Sequence, residues 1–297
     1  MFVKRFLILF VALLFLTACK DDSKIVKKIA KNKKIIIYTS VQPVAFISSK
    51  IAGRYAKVKA LIPKGKSPHS FTLLASDLSA MTKAKFFFSV QLPFEKLQLE
   101  KVLKNSSTEW VDITKGIKFE NITEQIVDSH IWLSPENDII LARNICDTLS
   151  KAMPQHIKYF ELNFDNFKRC IVALDNKINK MLEPFKGEIF LVYHPAFGYF
   201  AKRYGLRQEA IELGGKSPTA KHLQKVISLS VKKKVRIIFV QPEFKRKAAK
   251  LIAKAIKGSV IKLDPLAYNL VNNYMTFATE IQKAMKREKK IKANEKK

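Results

Sequence analysis

At 297 residues with 47% hydrophobic side chains, the chain is long enough for two domains with real cores, which excludes a disordered or small disulfide-held protein. Its formal net charge of +30 points first to nucleic acid or an anionic surface. The amino terminus excludes the first of these: Lys4 and Arg5 precede an apolar run from Phe6 to Leu16, the layout of an export signal and too short for a mature membrane span.

Leu16-Thr17-Ala18-Cys19 follows directly and resembles the lipobox of bacterial lipoproteins, with Cys19 as the lipidated new terminus and a plain signal peptide as the alternative. Residues 1–18 are thus read as a signal peptide and 19–33 as a lysine-rich tether. Removing residues 1–18, whose only charges are Lys4 and Arg5, leaves +28, which reads as a lysine-rich solvated surface. Cys146 and Cys170 fall on apolar-leaning helical faces. They are expected as buried free thiols, with a disulfide as the alternative in an oxidising compartment.

In chain order, 34–40 reads as a buried strand, 41–53 as a helix ending at Gly53, and 57–62 as a second strand. A Pro, Gly and Ser-rich loop over 63–71 carries His69. Helix 75–82, strand 85–90, helix 94–104 and strand 109–113 continue the alternation, which predicts a mostly parallel sheet. The stretch 116–129 lacks periodicity and leads to His130, and a helix is expected over 136–153.

Phe160, Phe164, Phe167, Ile171, Leu174, Ile178, Met181 and Phe185 recur in steps of three or four, predicting one long helix over 155–185. The alternation then restarts: strand 188–193 ending at His194, helix 196–204, strand 208–213, helix 218–232, strand 235–241, helix 244–257, strand 259–263 and a last helix from about 270. The fold class expected is α/β, with two lobes, each a mostly parallel four-stranded sheet flanked by helices, joined by one long linker helix. The N-terminal lobe is placed at 34–153, the linker at 154–186, the C-terminal lobe at 187–285, and a basic tail expected to fray at 286–297.

His69, His130 and His194 stand on loops or strand ends, and Asp264 closes the last strand of the second lobe. Each lobe therefore offers two donors, which a cleft between lobes could bring together. Imidazole and carboxylate suit zinc and other borderline divalent ions, and four protein donors favour holding the ion over using it. His156 and His222 are assigned no role and are expected in a first helical turn and facing solvent. No H-E-x-x-H or similar arrangement supplies a hydrolytic centre, so no catalytic residue is assigned.

The segments Pro68-His69-Ser70-Phe71, Ala75-Ser76-Asp77-Leu78, Phe88-Ser89-Val90 with Glu95, and His130 to Pro135 resemble the zinc and manganese group of ABC-transporter solute-binding lipoproteins. Tyr159 with Asn163, His194 to Leu206, Lys216-Ser217-Pro218, Ile238 to Pro242 and Asp264-Pro265-Leu266 extend the resemblance over about residues 34–285. The resemblance implies two α/β lobes on a rigid helix and His69, His130, His194 and Asp264 as metal ligands. Histidine rather than glutamate at position 194 is the mark of its zinc-type members, because a third imidazole softens the site.

Implied with it are Zn2+ as transported ligand, with Mn2+ the lesser candidate, an ABC-transporter permease as partner, a membrane anchor through Cys19, no nucleic acid, and a monomer on the periplasmic or outer face. A manganese or iron transport protein and, in another class, a surface adhesin or anionic-polymer binder are the alternatives. Two departures stand out: 116–129 contains no histidine where zinc-type members often carry a histidine-rich loop, and Gln241 stands where an acidic residue is usual.

Overall fold

The computed structural model describes residues 34–212, 218–244 and 246–294. The expected signal segment, Cys19 and the Lys216-Ser217 part of the family motif lie outside the described residues.

The first lobe is built on β1 (Ile35–Thr39), β2 (Ala56–Ala60), β3 (Phe86–Ser89) and β4 (Glu109–Asp112), all parallel, in the order β2-β1-β3-β4. Phe86, Phe87 and Phe88 are buried on both faces of β3, as a central strand of a covered parallel sheet requires. Its helices are α1 (Gln42–Ala52), α2 (Ala75–Met81) and α3 (Glu100–Lys104), the last preceded by a π-helical turn at Glu95–Leu99. Between β4 and the next helix, the aperiodic stretch forms a small antiparallel hairpin, β5 (Asn121–Thr123) and β6 (Ile126–Val127).

Helix α4 (Pro135–Ala152) starts where Ser134 Oγ accepts from Asn137 N and Pro135 fills the first turn. Helix α5 (Ile157–Leu182) is the long linker, about 39 Å over its 26 residues. Its stripe buries Phe160, Phe164, Phe167, Ile171, Leu174 and Ile178 as expected, with Leu182 taking the place foreseen for Met181.

The second lobe has β7 (Ile189–Val192), β8 (Arg207–Ala210), β9 (Ile237–Val240) and β10 (Ser259–Lys262) in the parallel order β10-β9-β7-β8. Around them lie α6 (Gly198–Arg203), α7 (Ala220–Lys233), α8 (Arg246–Ala255) and α9 (Leu270–Asn294). Residues alternate along β7: Phe190 and Val192 join the large core that runs from the first sheet through α4 and α5 to α9, while Ile189 and Leu191 join a smaller core under α7 and α8.

The lobes are tied by specific polar contacts. Trp132 Nε1 donates to Pro265 O at 2.9 Å, and the buried Tyr274 hydroxyl on α9 donates to Trp132 O at 3.2 Å and Asp138 Oδ2 at 2.8 Å. On the linker, Asp175 accepts from both Arg203 Nε and Nη2 and from the Tyr204 hydroxyl, and Arg203 also pairs with Glu136. Tyr159 and Asn163 finish α1: Asn163 Nδ2 donates to Ile51 O, and the Tyr159 hydroxyl accepts from Arg54 N beside Gly53. A Cβ on Gly53 would sit 2.2 Å from that hydroxyl, and its φ of +53° also favours glycine.

Three expectations need correction. The basic tail does not fray at 286: α9 continues to Asn294, because Glu288 is buried and accepts from Arg236 N at 2.8 Å, while Lys289 Nζ donates to Pro184 O. Cys146 is buried, but Cys170, at the edge of the linker stripe, is exposed, and both are free thiols. His222 is half-buried, with Nε2 against Ala210 O, and His156 stacks on Tyr55 just ahead of the linker.

Candidate metal centre

In both sheets the chain leaves the first strand to one side and later strands to the other, so the order reverses between β1 and β3 and between β7 and β9. Ligands of open α/β sheets bind outside the strand carboxyl ends at such points. His194 follows β7 directly at the second reversal, His69 lies on the loop after β2, and His130 follows the β5-β6 hairpin. The three imidazoles meet: His194 Nε2 lies 3.2 Å from His69 Nε2 and 3.4 Å from His130 Nε2. His130 and His194 are buried, and His69 is the solvent-reachable member.

Two carboxylates behind the rings aim them. Glu212 Oε2, just past β8, stands 2.7 Å from His194 Nδ1, and Asp128 Oδ1 stands 2.8 Å from His130 Nδ1 while also accepting from His130 N. A proton held on Nδ1 by a carboxylate leaves the Nε2 lone pair free for a metal and raises its basicity. Asp128 is itself held: its N–H donates to Glu120 O across the hairpin, and its carbonyl accepts from the Tyr199 hydroxyl. Gly198, opening α6, leaves room for it, since a Cβ there would fall 2.5 Å from Asp128 Oδ2.

The sequence pattern missed Asp128 and Glu212 as partners. Asp128 carries a signal, a carboxylate two residues before a candidate ligand. Glu212 carries none, because only the β7-β8 pairing brings it to His194. Gln241, the departure from the family pattern, clamps the His194 peptide: its Oε1 accepts from His194 N at 3.3 Å and its Nε2 donates to His194 O at 2.8 Å. A neutral amide can do both, whereas a carboxylate can only accept. Phe244, expected inside a helix, lies in the loop before α8 and stacks on the His194 ring at 5.2 Å between centroids.

Charge at the site favours neutral imidazoles. Desolvation, then repulsion from His194 and His130, pushes His69 down to about 4. Desolvation likewise lowers His194, against the opposing pull of Glu212. An imidazole that is already neutral binds metal without first releasing a proton.

Asp264 follows β10 on the same side, but it does not join the three nitrogens: the set of donor atoms within 4.8 Å of one another contains only the histidines. Its Oδ1 accepts from Leu266 N at 2.9 Å, and its carbonyl accepts from Asn273 Nδ2. Between β9 and α8, Glu243 faces this region. Burial pushes its carboxyl up to about 7, opposed by its own backbone N–H, with Asp264 adding to the rise and His130 opposing it.

A further carboxylate orders the first lobe's strand ends. Glu95 is fully buried and accepts from Ser40 Oγ past β1, Ser89 Oγ on β3, and the Val90 and Leu92 N–H groups. The loop wraps it through Gln91, whose φ of +64° is the left-handed turn. Beyond it a cleft of about 230 Å³, walled by Leu92, Phe94 and Trp132, opens onto His69 and His130.

Residues 37–288 match the family model described as zinc-uptake complex component A, periplasmic. The chain is 27% identical over 265 residues to the high-affinity zinc uptake system protein ZnuA of Haemophilus ducreyi, covering 77% of this chain and 84% of that protein. It is likewise 27% identical over 265 residues to a putative metal-binding protein of Chlamydia trachomatis, covering 85% and 91%. Among solved structures, a crystal structure of ZnuA superposes with a TM-score of 0.81 at 29% identity, covering 85% of this chain and 99% of that one. A zinc-bound ZnuA deletion mutant also superposes at 0.81 and 29%, covering 85% and 98%. The chain belongs to the family of periplasmic zinc-uptake component A proteins, which are solute-binding proteins.

Proposed function

We propose that this protein captures Zn2+ outside the cytoplasm and delivers it to an ABC-transporter permease, held at the membrane by lipid on Cys19. Three nitrogens, from His69, His130 and His194, hold the ion, and Asp264 supplies a carboxylate oxygen. The observation that carries the reading is the convergence of three Nε2 atoms, those of His69 and His130 lying within 3.4 Å of that of His194, with the His130 and His194 rings backed by carboxylates. Three imidazoles make a soft, borderline donor set, which favours zinc over manganese.

Asp264 Oδ1 is engaged by Leu266 N, which leaves Oδ2 for the ion. The contacts of Trp132 with Pro265 and of Tyr274 with Asp138 join the lobes, so loading and release proceed by local movement of the His69 loop and of the oxygen donors rather than by wide opening. Among the described residues no helix is long and apolar enough to cross a membrane; the support for the lipid anchor is the sequence Leu16-Thr17-Ala18-Cys19.

Metal analysis of protein purified without added metal tests the binding half, with zinc expected near one equivalent and manganese as the contradicting result. Globomycin-type inhibition of lipoprotein processing, or Cys19→Ser, tests the anchor. Release of the protein from the membrane fraction is expected, and unchanged membrane association contradicts the lipid tether.

A further inference from the structure

The loop between β9 and α8 contributes three consecutive features to one site. Gln241 grips the His194 peptide, Phe244 stacks on the His194 ring, and Glu243 lies between them. Glu243 is half-buried overall, yet its Oε2 is enclosed without a hydrogen-bond partner. A carboxylate oxygen removed from water and left unmatched is costly, and such an atom signals a partner that binds there. Its chain neighbours on both sides touch His194, so the orphan oxygen sits on the loop that lines the three-histidine site, although it lies outside the 4.8 Å cluster of the three nitrogens.

Hydrogen bonding explains the other site carboxylates. Asp128 and Glu212 are each spent on a histidine Nδ1, and Asp264 Oδ1 is spent on Leu266 N. Among the described residues around the site, Glu243 Oε2 is the carboxylate oxygen buried with no such use. A divalent cation at the imidazoles is the group whose charge would match it.

We infer that Glu243 is a further ligand of this site, its Oε2 joining the three imidazoles and Asp264 on a divalent cation of borderline hardness. The inference rests on the zinc-binding reading and extends it. Two carboxylates on one side give the ion three nitrogen and two oxygen donors, and they neutralise its two positive charges. Zinc, most often four-coordinate, can expand to five donors. During transfer one carboxylate can let go while the other keeps hold, so the ion leaves in steps rather than in one costly break.

Zinc X-ray absorption on the zinc-loaded protein and on Glu243→Gln, with competitive zinc titration of both, tests this. The amide keeps the side chain's size and weakens it as a donor. The expected result is zinc affinity lower by at least about tenfold, the lower end for disturbing a metal site's partners, together with one fewer oxygen scatterer and three nitrogens unchanged. Equal affinity and equal oxygen count overturn the proposal while leaving zinc binding intact. Weaker binding with the same oxygen count also overturns it, assigning Glu243 a positioning role. If Glu243→Gln does not fold, the parent decides alone: two carboxylate oxygens support the proposal and one overturns it. A parent protein that binds no zinc overturns the function proposed above instead.

Discussion

His194 Nδ1 and Glu212 Oε2 lie 2.7 Å apart, and both side chains are almost wholly buried. They come from adjacent parallel strands, β7 and β8, each just past its carboxyl end. The sheet therefore sets the ring's orientation, and a proton held on Nδ1 by Glu212 would leave the Nε2 lone pair free for the proposed ion.

Removing that partner tests the orientation. Glu212→Ala is expected to lower zinc affinity by about 10- to 100-fold, the range for partners behind metal ligands. Circular dichroism should show the fold retained. Calorimetric titration checks it, and unchanged affinity contradicts the role given to Glu212.

Gly198 offers a test that touches no charged group. Because a Cβ would meet Asp128 Oδ2 at 2.5 Å, Gly198→Ala must displace the carboxylate that holds His130. Zinc binding should weaken about tenfold or more. The same substitution at Gly65, where nothing lies within 4 Å but φ is +79°, should cost stability without a comparable effect on affinity.

Tyr274 should matter for stability more than for binding. Tyr274→Phe removes hydrogen bonds to Trp132 O and Asp138 Oδ2, and Asp138 Oδ1 already lacks a partner. A loss of about 1–3 kcal/mol is expected in urea unfolding. Retention of full stability would show that the Trp132 and Asp138 contacts do not tie the lobes.

Glu95 predicts a pH dependence of the metal-free protein. Desolvation raises its carboxyl from the ordinary 4.5 to about 7, against the four hydrogen bonds that favour the ionised form. The folded state thus holds a proton that the unfolded chain has lost. Its stabilising contribution is complete below the ordinary value and fades as pH rises through about 7. Between about 4.5 and about 7, unfolding free energy should fall with a slope of at most about 1.4 kcal/mol per pH unit from this group, levelling off above. Glu243 acts in the same direction, so Glu95→Gln should reduce the slope in denaturant titrations rather than remove it.

Much of this was legible in the chain because it is local. Strand and helix alternation, the Phe160 to Ile178 stripe and histidines on loops or strand ends depend on near neighbours, and the structure has all three. What remained hidden depends on strand order and long-range contact. Glu212 reaches His194 only through the β7-β8 pairing, and Tyr159 and Asn163 carry meaning only once the linker lies against the end of α1. The apparent basic tail is helical because one buried acid, Glu288, meets the backbone at Arg236, a contact 52 residues away in sequence. Phe244 read as a helix residue by periodicity, but its ring is spent on His194, so α8 starts later.

The proposed zinc site stands on three imidazoles brought together from distant loops. Competitive zinc titration of His130→Ala beside the parent tests it most directly, since His130 is buried between Asp128 and the other two rings. One tight site is expected in the parent, and affinity reduced by about 100-fold or more in the variant, above the range for partners that merely orient a ligand. Parent-like zinc binding by His130→Ala would contradict it.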